Sequence, residues 1–110
     1  MMFEYEKALE RFMGEKDILI EVLPIYIENL DISVDELKTL TPETQSERIR
    51  EVAHSIKGSS LNLDAVPLGR AAEELEDLAY NKKSSGISEL VEKIAKLSAE
   101  TKKEMNTYLV

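Results

Sequence analysis

Apolar side chains recur every three or four residues along nearly the whole chain, and nowhere do apolar and polar residues alternate for long enough to make a half-buried strand. The pattern predicts an all-α protein. A short first helix is expected over residues 4–13, with Phe3, Ala8, Leu9 and Phe12 offering apolar contacts and Gly14 supplying the left-handed residue that ends a helix. A long second helix is expected from Asp17, a capping residue, with Ile18, Val22, Ile25, Tyr26, Leu30, Val34, Leu37 and Leu40 along its apolar side. Pro24 lies inside this run. It removes a backbone donor and crowds the preceding turn, so a kink or a break into two helices is expected there.

Thr41-Pro42-Glu43 has the cap, the proline and the first-turn acid of a helix start, although Ser46 offers a later one. The third helix then carries Ile49, Val52, Ala53, Ile56, Ser60 and Leu63 on its inner side. Residues 62–65 turn into a fourth helix that packs through Leu68, Ala72, Leu75, Leu78 and Ala79. Residues 82–86 are a polar breaker, and the last helix presents Ile87, Leu90, Val91, Ile94, Leu97, Met105, Tyr108 and Leu109. Connections this short make neighbouring helices antiparallel. Such helices bury their apolar sides as an antiparallel up-down four-helix bundle, here with the short N-terminal helix capping one end. The 110 residues read as one domain, 1–110, with one core.

Charge and composition narrow the function by exclusion. Fourteen basic against twenty-two acidic residues give a net charge of −8, which repels nucleic acid and anionic lipid over most of the surface. With no cysteine and a single histidine, no thiolate or imidazole cluster is available for a metal, so no cofactor of its own is expected. Residues 1–6 lack the basic segment and apolar run of a signal peptide, and no run approaches the roughly 20 apolar residues that a membrane span needs, so a cytoplasmic protein is expected. Nothing in the sequence requires more than a monomer.

The one histidine changes this picture. Successive helical residues turn by about 100°, which sets His54 roughly 160° from Ile56 and outside the apolar side of the third helix. Its helical neighbours are Arg50, Lys57, Gly58 and Leu61, a patch of an imidazole, two cations, a bare backbone position and an exposed leucine. On an acidic protein this local positive charge favours an incoming anion, and imidazole is a good nucleophile near neutral pH. Glycine inside a helix costs about 1 kcal/mol relative to alanine, so Gly58 needs a reason, such as close approach by a partner's backbone. If the hairpin turns near Ala65, Glu76 comes level with His54. Its carboxylate can then accept from Nδ1–H and leave Nε2 free to attack, with Lys57 neutralising phosphoryl oxygens. Taken singly, each feature has an ordinary explanation: a surface histidine, a packing glycine, solvated charges and an acidic face.

Together the residues Ala53-His54-Ser55-Ile56-Lys57-Gly58-Ser59-Ser60 resemble the phosphoacceptor motif of histidine-containing phosphotransfer (HPt) domains. Leu23-Pro24-Ile25-Tyr26-Ile27-Glu28, Leu68 with Leu75-Glu76, and Tyr108-Leu109 extend the resemblance over most of the chain. It implies a four-helix bundle, with His54 phosphorylated, Lys57 its charge partner, Gly58 open for docking and Glu76 the polar neighbour of the imidazole. It also implies response-regulator receiver domains and a hybrid sensor histidine kinase as partners, in a two-component phosphorelay whose Mg²⁺ the receiver supplies. No Gly-rich ATP loop is present, so the protein is expected to carry phosphate without being an enzyme. One position departs: where the family usually has glycine, this chain has Asp64 after Leu63. Aspartate tolerates a left-handed backbone and can cap the next helix, while its charge would bear on partner docking. Two other readings compete, a non-catalytic module that docks receivers without turnover, and an acid/base enzyme using His54 and Glu76, for which the sequence offers no second catalytic group.

Overall fold

The computed structural model of the protein describes residues 1–109, and every regular element among them is a helix. These are α1 (Tyr5–Arg11), α2 (Lys16–Thr39), α3 (Ser46–Asn62), α4 (Val66–Tyr80) and α5 (Ile87–Asn106). α2 and α4 each pack on both α3 and α5, so the four long helices close a ring around a shared apolar core. None of the described helices is long and apolar enough to cross a membrane.

The inner sides of α3, α4 and α5 are largely those the periodicity predicts, except that Leu78 and Leu97 are only half-buried, and Tyr108 and Leu109, expected on the last helix, follow its end at Asn106, with Tyr108 exposed. Ile49, Val52, Ala53, Ile56 and Ser60 are buried on α3, Leu68, Ala72, Leu75 and Ala79 on α4, and Ile87, Leu90, Ile94 and Met105 on α5. Thr101 and Ser98 interrupt the apolar side of α5. The Thr101 hydroxyl donates to the Leu97 carbonyl at 2.7 Å, whereas the buried Ser98 hydroxyl has no partner among the described residues.

α2 departs from expectation in the register of its apolar side. Its core side is Leu19, Leu23, Tyr26, Leu30, Val34 and Leu37. Ile18 and Ile25, expected in the core, are exposed, and Val22 is half-buried. Apolar residues stand side by side at 18–19, 22–23 and 25–26, so two registers one residue apart fit the periodicity equally well, and packing takes the one with the leucines. Pro24 does not break the helix, which runs from Lys16 to Thr39. It lies on the exposed side, where water can satisfy the carbonyl that loses its donor. Asp17 is not the cap either; the helix starts one residue earlier, and Asp17 sits in the first turn, where its charge favours the helix N-terminus.

The connections also shift. α1 ends at Arg11, shorter than expected, and both Met13 (φ 55°) and Gly14 (φ 77°) are left-handed. Thr41-Pro42 forms only a turn, closed by the Thr41 N–H donating to Gln45 Oε1 at 2.7 Å, and α3 begins at the later start, Ser46. Asp64 does adopt the left-handed backbone (φ 57°). It does not cap α4, whose N-cap position is Ala65. Its carboxylate turns instead to α1 and accepts from Arg11 Nε at 2.7 Å and Nη2 at 3.4 Å, while its carbonyl accepts from the Glu4 N–H. The segment before α1 is held to the other end of the chain. Glu104 accepts from the N–H groups of Met2 and Phe3 at 3.0 Å, and Tyr5 stacks on Tyr108 with ring centroids 4.1 Å apart.

Candidate functional site

His54 is fixed from behind. Val52, Ala53 and Ile56 anchor α3 in the core and leave position 54 outside, with its side chain 63% exposed. Gly69 of α4 lies against Leu61 of α3, where a β-carbon would not fit, so the two helices approach closely, and the hairpin brings Glu76 level with the imidazole. Glu76 Oε2 lies 2.6 Å from His54 Nδ1, and Oε1 lies 2.6 Å from Lys57 Nζ. One carboxylate therefore bridges an imidazole and an ammonium. It is the most sheltered of the three groups, 15% exposed, so its position is set by the core beneath it.

The charges follow from this geometry. The hydrogen bond from Lys57 is the main reason that the Glu76 carboxyl is held below its ordinary range, with His54 assisting and burial opposing. The same bond raises the Lys57 ammonium. Glu76 is thus ionised at neutral pH. With the ring proton on Nδ1, His54 donates to this carboxylate and its Nε2 lone pair points to the open side.

Two expectations around His54 need correction. The local positive excess is absent, because both cations are paired: Lys57 with Glu76, and Arg50 with Glu47 one turn back, its Nε 3.1 Å from Oε1. Lys57 is accordingly bonded to Glu76 in the unphosphorylated protein. Leu61 is not exposed; it is half-buried and leans over Gly69 of α4. Asp64 is buried at the far end of the hairpin, and its carboxylate is bound to Arg11.

Gly58 is different. Among the described residues, nothing beyond its chain neighbours and the helix's own backbone lies within 4 Å of the place where its β-carbon would stand, so helix packing does not require it, and it leaves bare backbone beside His54. The glycine that packing does require is Gly69, which sequence reasoning missed although a glycine inside an amphipathic helix is visible in the sequence.

A groove of about 540 Å³ between α2 and α3 was also missed. Val22, Ile25, Tyr26 and Ile32 line it from α2, and Ser55 and Ser59 line it from α3. Ile25 and Ile32 are 61% and 60% exposed. With Ile18 they stand seven residues apart and form one stripe along α2. Ser55 and Ser59 directly follow His54 and Gly58 in the chain, so the α3 wall of the groove is built from the same turns of helix that carry the imidazole. Among the described residues, no group of three or more His, Cys, Asp or Glu side chains is placed to hold a metal ion.

Fold and site together define a helical protein with one exposed imidazole held against a carboxylate across the α3–α4 hairpin, and an apolar groove between α2 and α3. The family model described as the Hpt domain matches residues 21–106, from early α2 to the end of α5, and the chain belongs to the Hpt domain family. Neither a curated protein nor a solved structure matches it. Hpt domains are phosphocarrier modules of two-component signalling, working with receiver domains and kinases rather than as enzymes with an ATP site of their own. The match leaves α1 outside.

Proposed function

We propose that this protein is the histidine phosphotransfer component of a phosphorelay, taking a phosphoryl group on His54 from the aspartate of one response-regulator receiver domain and passing it to another. The observation that carries this reading is the 2.6 Å contact between Glu76 and Nδ1 of His54, which selects the tautomer with a nucleophilic Nε2 on the open side. The Nε2 lone pair attacks phosphorus in line, the bond from phosphorus to the aspartyl oxygen breaks, and the receiver's carboxylate leaves with that electron pair. Transfer to the second receiver runs the same step backwards. The receiver brings the Mg²⁺, and phosphate enters the relay from a hybrid sensor histidine kinase. The carrier is a cytoplasmic monomer built as an antiparallel up-down four-helix bundle.

Docking uses the surface that the core leaves over. Isoleucines at 18, 25 and 32 offer an apolar ridge that the fold does not need, and the groove behind it takes apolar side chains from the receiver. Gly58 lets the partner's backbone come close to His54. Arg50, paired with Glu47, stands on the rim one turn before the histidine.

The test is phosphoryl transfer from a phosphorylated receiver to the wild type, to His54→Gln and to Ile25→Glu. Acid-labile, base-stable label is expected on the wild type and not on His54→Gln. Ile25→Glu should keep the wild-type melting temperature and lose receiver affinity by roughly tenfold or more. Receivers that bind the wild type without labelling it would show a non-catalytic docking module instead.

A further inference from the structure

We propose that Glu76 and Lys57 together set how readily the phosphoryl group leaves His54, with Glu76 promoting departure and Lys57 restraining it by acting through Glu76. This inference rests on the phosphocarrier reading. Once Nε2 is phosphorylated, the ring is a good leaving group only while Nδ1 keeps its proton. The N–P bond then breaks with its electron pair remaining on Nε2. The phosphoryl group passes to a carboxylate of the receiver or to water, and the ring departs as neutral imidazole. Without the Nδ1 proton the departing species is imidazolate, a far poorer leaving group.

Glu76 is the acceptor at that proton, and its negative charge holds the proton on the ring. Lys57 takes the other oxygen of the same carboxylate at an equal distance and cancels part of that charge. The two residues therefore pull in opposite directions, although each bonds to Glu76 or is Glu76 itself. The other charges bearing on this unit are Arg50, which is closed on Glu47, with Glu51 beside it on α3, and Glu73 and Asp77 on α4. None of these hydrogen-bonds to Glu76 among the described residues.

A lysine that steadied the phosphoryl oxygens directly would act whether or not position 76 is charged. A lysine that works through Glu76 would not. Double-mutant analysis separates the two. The protein is phosphorylated with phosphoramidate, without any receiver, and loss of phosphohistidine is followed by ³¹P NMR at pH 8 in the wild type, Glu76→Gln, Lys57→Met, Lys57→Arg and the double variant Lys57→Met/Glu76→Gln. Glu76→Gln should lose phosphate roughly three- to tenfold more slowly and Lys57→Met faster by a similar factor. Lys57→Arg should behave as wild type, and Lys57→Met should have no effect in the Glu76→Gln background. Equal effects of Lys57→Met in both backgrounds, or a Glu76→Gln rate equal to wild type, would overturn the proposal. So would ¹⁵N spectra of the unphosphorylated wild type that place the neutral ring's proton on Nε2. A wild type that takes no phosphate from phosphoramidate or from any phosphorylated receiver ends the phosphocarrier reading and this inference together, whereas uptake with indifferent rates ends the inference alone.

Discussion

Leu61 of α3 lies so close over Gly69 of α4 that a β-carbon at position 69 would come within 2.5 Å of its Cδ2 and 2.7 Å of its Cγ. Gly69→Ala must push Leu61 aside, and overpacking of this kind costs about 1–3 kcal/mol, against about 1 kcal/mol gained in helix propensity. A net loss of roughly 1 kcal/mol is expected. Gly58→Ala meets nothing within 4 Å and should gain up to about 1 kcal/mol. Thermal unfolding should therefore move in opposite directions for the two variants, by about 4–8 °C per kcal/mol in a chain of this size. Only Gly58→Ala should slow transfer from a docked receiver.

Asp64 and Arg11 give a separable test of the N-terminal cap. Asp64→Asn keeps a residue that tolerates φ 57° and removes the charge that Arg11 meets. Amide hydrogens of residues 5–11 should exchange faster while phosphoryl uptake by His54 stays at the wild-type level. Unchanged exchange would mean that α1 is held by its aromatic and Glu104 contacts alone.

The hydroxyls of Tyr26 and Ser60 lie 2.6 Å apart in the core between α2 and α3. Tyr26→Phe strands the Ser60 hydroxyl, and Ser60→Ala strands the phenol, each at about 1–2 kcal/mol in urea unfolding. The double variant should cost less than their sum. Burial pushes the Tyr26 phenol up to about 12 from an ordinary 10.0, with the Ser60 bond opposing. A raised folded-state value means that this contribution is full below pH 10 and is lost as pH rises toward 12. The alkaline fall in stability should be shallower in Tyr26→Phe.

The Glu76 bridge makes the opposite prediction at the acid end. Its folded-state value is depressed below 4.5, chiefly by Lys57, so its stabilisation is present above the ordinary carboxylate range and is lost as pH falls through the lower folded value. Urea midpoints measured from pH 7 down to 3 should fall less in Lys57→Met than in the wild type. Identical slopes would mean that the Lys57 contact carries no net energy.

The sequence made some of these relationships legible and hid others for identifiable reasons. The level match of His54 and Glu76 follows from counting along a hairpin whose turn residues are unmistakable, and a helix pair preserves that count. The register of α2 did not follow, since Ile18, Val22 and Ile25 are as apolar as the residues beside them and only packing separates core from groove. Pairing of Lys57 with Glu76 and of Arg50 with Glu47 depends on side-chain conformations that spacing leaves open. Leu61 looked exposed because nothing in its own helix reveals the hollow at Gly69 on the next. Asp64 could be read for its backbone, which is local, but not for its carboxylate, whose partner lies 53 residues earlier.

The isoleucine ridge on α2 also has a colloidal consequence. A protein that leaves Ile18, Ile25 and Ile32 in water carries a patch able to meet its own copy, and a charge of −8 per molecule opposes such encounters. That repulsion reaches about 8 Å at physiological ionic strength and only about 3 Å at 1 M salt. The attraction of the apolar ridge and the repulsion of the net charge are thus opposed on one molecule, and salt concentration shifts their balance without altering a single contact inside the fold.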